Sequence, residues 1–448
     1  MRYVGILLVI LSLPGFFIWL QSDNRNYRFA YILIGLFPFL SGALNLDASL
    51  WHIGGLGYVK GIVVTLLDTL CLAILLNKAK GVFRYPFTGL LVAYLSATLL
   101  SILQADGLMA PLSYAFQLMR IIIVFWTVAI VVQEDGALRY VAYGLAIGAM
   151  IQGVVTVGQR LGGTFQATGL MGHQNLTGMM LHFATLPLLA MLLAGARSKI
   201  YAGGVAGGLV AVALGASRGS IAFLGLGLGL LILLSIMRRA TSRKYAVAGL
   251  SVLMLAAASP IIISGLDQRL SNVAQRESAE EERTAFEAAA AMMIADHPFG
   301  VGANRYTFIA NVGGYSERAG VTWAGSSRSA VVHHLYYLTA AELGWLGLFA
   351  LILLFLGVVI RGLHFSFRYR RDPAGDIALG CTCAVVALAA QSFFEWVFVA
   401  VQTQYVFAIA IGIIAGSIRN RERLQRRKSK ARRAQIAERE QALAASHG

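Results

Sequence analysis

Long apolar stretches separated by short polar ones run along most of the chain. About thirteen of these stretches reach the roughly 20 apolar residues that a helix needs to cross a bilayer. The pattern therefore predicts an all-α, polytopic integral membrane protein with about 12–13 transmembrane helices. The runs begin near Tyr3, Tyr27, Tyr58, Pro86, Leu112, Ala137, Asn175, Lys199, Gly219, Lys244, Leu335, Asp376 and Val397.

The basic residues of the loops predict how the helices are oriented. Cytoplasmic loops carry an excess of Lys and Arg, and the basic segments here are 78–84, 197–199, 238–244, 361–371 and the tail from 419. The outward loops are then 44–57, 104–111, 160–174, 217–218 and 265–334. This assignment leaves Met1 outside with an odd number of spans, and a re-entrant first segment would make the number even. The run from Tyr3 to Leu20 lacks a small-residue cleavage site, so we interpret it as a transmembrane helix and not a signal peptide.

The net charge of +16 would suggest nucleic acid if it were concentrated in a folded surface, but its distribution points to lipid. The tail 419–448 carries ten Lys and Arg against three Glu, and the other charges lie in short loops. This pattern favours cytoplasmic anchoring to anionic lipid. We expect residues 1–418 to form one transmembrane domain and 419–448 a basic cytoplasmic tail, either disordered or helical on the lipid surface. Cys71, Cys381 and Cys383 all lie in apolar runs, which predicts neither disulfides nor a zinc site.

One outward loop, 265–334, is much longer than the others, and long loops in compact proteins are often functional. Between Glu280 and Asp296 its apolar residues recur at helical spacing, and His297-Pro298 ends the pattern. We predict an amphipathic helix there, followed by a flexible turn at 300–302. The helical positions are Arg283, Phe286, Glu287, Ala290, Met293 and Ile294, and the basic residues that follow are Arg305, Arg318, Arg328, His333 and His334.

These side chains are suited to a diphosphate-bearing substrate. Guanidinium groups donate bidentate hydrogen bonds to phosphate and stay charged in a poorly hydrated site. Imidazole can take a proton from an attacking hydroxyl near neutral pH. The loop therefore indicates group transfer from a lipid diphosphate. The alternative is that the arginines contact lipid head groups and the histidines cap a helix.

Four motifs lie on the predicted outward side: an Arg-led helix with a Pro-x-Gly-x-Gly turn (282–286 and 297–302), a His-led helix with Glu-x-Gly-x-x-Gly (333–338 and 342–347), and the helix starts at 172–175 and 217–219. Together they resemble the O-antigen ligase and polysaccharide polymerase superfamily of bacterial membrane glycosyltransferases. The resemblance covers roughly the last two thirds of the chain. His334 stands where that family usually has Asn, and His173 where many members have a Pro-Asn pair.

The resemblance implies an inverting, metal-independent glycan transferase of the bacterial inner membrane whose site faces the periplasm. Its donor would be a glycan on undecaprenyl diphosphate, its acceptor a glycan or lipid-linked glycan, and it would need no cofactor and no nucleic acid. The transmembrane domain, with 265–334 as the periplasmic loop, would then be the glycosyltransferase domain. The sequence has no Asp-x-Asp in an outward loop and no glycine-rich phosphate-binding motif.

The resemblance assigns three catalytic candidates. Arg218, at a predicted helix N-terminus, and Arg283, on the amphipathic helix, would hold the diphosphate. His333 would activate the acceptor hydroxyl or stabilise the leaving diphosphate.

Five further residues are substrate-binding candidates: His334, His173, Asn175, Arg120 and Arg305. For His334 the alternative is a helix N-terminal position, and for Asn175 helix capping is favoured. Arg120 lies in an apolar run, where a charge is costly unless it is paired or functional, so it contacts either the donor or Asp68.

Within this superfamily, polymerase and ligase differ only in their acceptor. The unusual His333-His334 pair favours a repeat-unit polymerase of exopolysaccharide or O-antigen, and the alternative is a ligase that transfers glycan to lipid A core. A secondary transporter or flippase is an interpretation from another class, since many helices and the intramembrane Arg120 and Asp68 would suit it. No internal repeat supports it, and a scaffolding protein would leave the Arg and His residues of the loop unexplained.

Overall fold

The computed structural model describes residues 2–40, 47–52, 57–79, 84–249, 253 and 273–446. Helices dominate this part of the chain, and the predicted all-α membrane class is confirmed. The helices of the first half are α1 (Arg2–Ser22), α2 (Asn26–Leu36), α3 (Leu66–Lys78), α4 (Thr88–Leu100), α5 (Met109–Val131), α6 (Ala137–Leu161), α7 (Gln174–Leu193), α8 (Lys199–Gly215) and α9 (Arg218–Arg238). Those of the second half are α10 (Val273–Asp296), α11 (Tyr306–Val312), α12 (Tyr315–Arg318), α13 (Gly325–Ser329), α14 (Leu335–Arg368), α15 (Pro373–Gln391) and α16 (Val401–Ser446).

Eight of the described helices are long and apolar enough to cross a membrane: α1, α5, α6, α7, α9, α14, α15 and α16. Four predicted spans contain shorter helices instead, namely α2, α3, α4 and α8. The α2 helix stops at Leu36 because Pro38 follows within a short 3-10 turn, Phe37–Phe39. The run near Lys244 continues into residues outside the described part, so its length is not defined by the structure.

A two-stranded antiparallel sheet, not predicted from the sequence, precedes α3. It pairs β1 (Ala48–His52) with β2 (Gly61–Val64). The apolar run near Tyr58 therefore begins as a strand and becomes helical only at Leu66. Thr65 explains the change, because its side chain caps α3 in a reciprocal capping box with Asp68.

Close packing between α6 and α8 relies on glycine. A Cβ at Gly204 in α8 would lie 2.7 Å from Ala146 of α6, and one at Gly153 of α6 would lie 2.7 Å from Gly207 of α8. Neither position has room for a side chain. Small residues let neighbouring membrane helices approach in this way.

The loops that the sequence predicted as cytoplasmic meet at one end of the bundle, which we call the basic end. Lys78 at the end of α3 forms an ion pair with Glu134, and Arg421 in α16 pairs with Asp372 before α15. Arg423 donates to the Gln133 carbonyl at 3.4 Å. The described part of the tail, residues 419–446, continues α16 as helix. A helix is one of the two alternatives that the sequence left open for the tail.

The predicted amphipathic helix is present as α10, which ends at Asp296 before His297-Pro298. Phe286, Ala290 and Met293 are buried, and the side chain of Arg283 is 48% exposed. Residues 265–272 of the predicted loop lie outside the described part.

The turn that follows α10 is docked on α14 and is not the flexible turn that the sequence suggested. The Val301 and Gly302 N–H groups donate to the Ala341 and Glu342 carbonyls, each at 2.9 Å. Gly344, with φ of 66°, interrupts α14 at this contact. The interruption frees backbone groups of α14, and the turn bonds to them.

Candidate functional site

Three residues predicted for the site meet at a buried acid that was not predicted, Glu395. This residue follows α15 in a short turn and is 4% exposed. Its Oε1 accepts a hydrogen bond from Asn175 Nδ2 and lies 4.0 Å from Arg283 Nη2. Its Oε2 lies 3.6 Å from His333 Nδ1. A buried carboxylate is stable only with such partners, so Glu395 ties the starts of α7 and α14 to the amphipathic helix.

His333 occupies a position suited to proton transfer. Its Nδ1 and Glu395 Oε2 are both buried, and neither atom has a hydrogen-bond partner among the described residues. Their separation is slightly longer than a normal hydrogen bond. A carboxylate facing Nδ1 favours the tautomer that carries its proton there, which leaves Nε2 able to accept one. The side chain is 27% exposed, so a reactant can reach it.

His334 points elsewhere and caps α14. Its Nδ1 accepts a hydrogen bond from the Tyr337 N–H at 3.3 Å, and its ring packs against Tyr337 and Phe393. Burial lowers its pKa from the ordinary value of 6.5. Of the two roles left open by the sequence, the observed contacts are those of the helix N-terminal position.

At the start of α7, the prediction that Asn175 caps the helix is wrong. His173 is the N-cap, because its Nδ1 accepts from the Asn175 N–H at 3.3 Å. Gly172, with φ of 73°, turns the chain so that the imidazole faces the helix. Asn175 is already inside the helix, and its side chain is therefore free to reach Glu395. Burial lowers the pKa of His173, and this outweighs the nearby Glu395 carboxylate, which raises it.

Arg218 is the first residue of α9, and Ser217 caps that helix by accepting from the Ser220 N–H at 3.2 Å. Gln391 Nε2, at the end of α15, donates to Ser220 Oγ at 3.3 Å. A Cβ at Gly178 of α7 would touch the same side chain. Arg218 thus lies at the end of the bundle where Glu395 lies. It is exposed, and within the described residues it makes no ion pair.

Arg120 makes the Asp68 contact that the sequence suggested. It is 4% exposed, and its Nε donates to Asp68 Oδ2 at 2.7 Å. Its Nη2 donates to Tyr405, whose hydroxyl donates to Asp68 Oδ1 at 2.8 Å. Asp68 on α3 and Tyr405 on α16 therefore accept hydrogen bonds from Arg120 of α5 inside the bundle. Neither residue is a partner of Glu395. The pairing accounts for a charge that would otherwise be very costly in a membrane.

Arg305 lies in the docked loop, where its guanidinium stacks 4.1 Å above the Phe308 ring. Its neighbours in sequence are held by Glu342. Among the described residues, no hydrogen bond or ion pair joins Arg305 to Glu395 or His333.

Glu342 is buried under that loop and fixes its position. Its Oε1 accepts from the Tyr306 N–H at 2.9 Å, and its Oε2 accepts from the Asn304 N–H at 2.9 Å and the Tyr58 hydroxyl at 2.5 Å. The turn at 300–302 brings the chain back over α14, so that open backbone N–H groups of the following residues reach Glu342. Asn304 continues the connection by exchanging hydrogen bonds with both backbone groups of Val59.

The sequence carries a signal for Glu395 in its position along the chain. It is the lone charged residue between the last two apolar runs, in the segment Phe393-Phe394-Glu395-Trp396. Alternation of the predicted loops places this segment on the outward side. Loop length singles out the segment 265–334, and the turn that contains Glu395 is too short to be found by that criterion.

Around Glu395 the structure combines the exposed guanidinium of Arg283 with the accessible imidazole of His333, and the exposed Arg218 lies at the same end of the bundle. Such a set can bind an anion and exchange a proton, the logic of an activated base with an orienting acid. In the described part of the chain, no three His, Cys, Asp or Glu side chains are grouped to hold a metal ion.

The fold and this site define a multi-pass membrane protein with basic side chains and a buried carboxylate at one end of its helices. Residues 203–352 match the family model of O-antigen ligase (Wzy_C). The match spans a third of the chain, includes Arg218, Arg283 and His333, and confirms the resemblance seen in the motifs. It supports glycan transfer of the O-antigen ligase and polymerase type. No curated protein matches the chain.

Proposed function

We propose that the chain transfers a glycan from undecaprenyl diphosphate to an acceptor hydroxyl at the outer face of the bacterial inner membrane. The observation that carries the proposal is the convergence of His333, Arg283 and Asn175 on Glu395. The family match over residues 203–352 supports the class of reaction.

In the proposed reaction the acceptor hydroxyl attacks the anomeric carbon as the bond from that carbon to the diphosphate oxygen breaks. His333 Nε2 takes the hydroxyl proton, and Glu395 stabilises the imidazolium that forms. Attack from the side opposite the leaving group inverts the anomeric configuration. Arg218 and Arg283 stabilise the departing diphosphate through charge-assisted hydrogen bonds, which supply the positive charge without a metal ion.

The acceptor that we propose is a second lipid-linked repeat, which makes the protein a polymerase of exopolysaccharide or O-antigen. A ligase would use the same groups with lipid A core as acceptor. The His333-His334 pair no longer separates the two, because His334 caps α14. The argument for a transporter also weakens, since Arg120 and Asp68 pair with each other.

The test is transfer by purified protein in liposomes with a labelled lipid-linked donor, offered either a lipid-linked repeat or lipid A core. We expect product only with the lipid-linked repeat, and we expect it to persist in the presence of a chelator. Arg218→Ala, Arg283→Ala and His333→Ala should each reduce the rate on the order of a hundredfold or more. Product on lipid A core alone would make the protein a ligase.

The matched control is Arg318→Ala, since Arg318 lies in the same loop with its side chain 54% exposed. Arg328 is a poorer control because it donates to the Val321 carbonyl at 2.8 Å and so braces the loop. Wild-type transfer by His333→Ala at equal protein levels would contradict the mechanism.

A further inference from the structure

A cavity of about 420 Å³ opens at the basic end of the bundle, opposite the candidate site. It lies between the start of α4, the late part of α14 and the middle of α16. Its lining consists of Arg84, Tyr85, Pro86, Thr88, Gly89, Arg361, Arg419 and Glu422. Three separate segments of the chain thus contribute one arginine each.

The cavity is positively charged. Glu422 is its one acid, and it pairs with Arg419 at 3.4 Å. Arg84 and Arg361 are exposed and form no ion pair within the part of the chain that the structure describes. Two guanidinium charges therefore remain uncompensated, a composition that fits a phosphate.

Direct packing between helices fixes where the arginines of the cavity lie. A Cβ at Gly357 of α14 would lie 2.6 Å from Leu90 of α4, so these two helices touch directly. Arg361 follows Gly357 by one helical turn and therefore lies on the face that packs against α4. Gly89, beside Leu90, lines the cavity from the other side.

An apolar stripe on α14 runs from the cavity toward the centre of the bundle. Phe349, Leu353, Leu356 and Ile360 recur at helical spacing and are 62%, 38%, 50% and 64% exposed. Val92 on α4 is 42% exposed. A molecule with its phosphate in the cavity would have a hydrocarbon surface directly beside it.

We propose that this cavity binds the head-group phosphate of an anionic phospholipid, whose acyl chains lie along the stripe of α14. Basic pockets between transmembrane helices bind anionic lipids in this way. The charge of the cavity and the adjoining apolar stripe together select a lipid over a soluble phosphate. The site is separate from glycan transfer, since Arg361 lies 26 residues beyond Leu335, roughly 35–40 Å along α14.

The experiment measures lipid retained by delipidated full-length protein in detergent, using native mass spectrometry after addition of phosphatidylglycerol or phosphatidylcholine. Wild type should retain phosphatidylglycerol and not phosphatidylcholine. The triple variant Arg84→Gln, Arg361→Gln, Arg419→Gln should bind it on the order of a hundredfold more weakly. Arg361→Gln alone serves if the triple variant does not fold, and it should weaken retention several-fold.

The matched control removes the same charge outside the basic tail, with Arg139→Gln, Arg160→Gln and Arg318→Gln, all at exposed positions. This control should retain phosphatidylglycerol like wild type. Equal losses in both triple variants would show a general charge effect and overturn the site. Displacement of the lipid by millimolar inorganic phosphate would also overturn it, because the cavity would then be a soluble phosphate site.

Discussion

Among single residues, Glu395 explains most about the candidate site. It lies beside His333 and Arg283 at 3.6 Å and 4.0 Å, and it holds Asn175. A group so placed orients the imidazole and balances its charge when it is protonated. It does not need to contact the substrate, so we regard it as a positioning residue.

We predict that Glu395→Gln lowers kcat by about a hundredfold while the KM for the lipid-linked donor changes little. The amide keeps the shape but cannot stabilise an imidazolium. Glu395→Asp should restore part of the rate, and the exposed Glu317→Gln in the same loop is the control. Steady-state transfer kinetics check this, and an unchanged kcat would remove Glu395 from the mechanism.

The cap formed by His334 leads to a prediction about thermal stability at acidic pH. Its neutral Nδ1 caps α14, and burial lowers its pKa below 6.5. The folded state therefore favours neutral imidazole: the stabilisation is complete above pH 6.5 and is lost as the pH falls through the lowered pKa. We expect thermal stability to decline below about pH 6.5.

The variant His334→Asn should remove part of this decline, because Asn is a good N-cap that does not titrate. His334→Ala should lose stability at every pH. The measurement is thermal unfolding between pH 5 and 8, and the prediction fails if His334→Asn keeps the acid sensitivity of wild type.

At the scale of elements, the junction between α14 and the docked turn positions the long loop. Gly344 allows it, since its φ is 66° and a Cβ at this position would lie 2.4 Å from the Phe299 carbonyl carbon. Any side chain there would meet both backbone strain and a backbone contact. The loop and its arginine-bearing helix thus depend on one glycine.

We predict that Gly344→Ala destabilises the protein by roughly 1–3 kcal/mol and increases proteolysis within the loop. Gly229→Ala in α9 is the control, since nothing lies within 4 Å of its Cβ position. Limited proteolysis with thermal unfolding checks both variants. Equal cleavage rates in the two would show that the turn does not need the glycine.

The sequence predicted some elements and missed others for identifiable reasons. The amphipathic α10 was predicted because its apolar spacing is regular and Pro298 marks its end. The strands β1 and β2 were missed because four or five residues inside an apolar run carry no distinct period. The roles of Glu342 and Glu395 depend on contacts between distant segments, and only the structure brings those segments together.

At the scale of the whole molecule, the structure gathers the basic loops at one end and leaves the direction of insertion as a prediction. We expect the end with Glu395 to face the periplasm. In intact cells an impermeant maleimide should label Ser326→Cys, whereas Ser429→Cys should react only after permeabilisation. Background should be low because Cys71, Cys381 and Cys383 are buried. Labelling of Ser429→Cys alone in intact cells would reverse the orientation.

The sequence separations of the contacts of Glu342 and Arg120 also determine the order in which these contacts can form during synthesis. Tyr58 lies 284 residues before Glu342, and Arg120 lies 285 residues before Tyr405. At translation rates of about 5–20 residues per second, the early partners wait roughly 15–60 s for the later ones. Asp68 and Arg120 are only 52 residues apart, so they can pair soon after both emerge and shield each other's charge during the wait. A nascent chain arrested before Glu342 should therefore keep its first helices inserted but leave the β1–β2 strand pair and the docked loop without their anchor on α14.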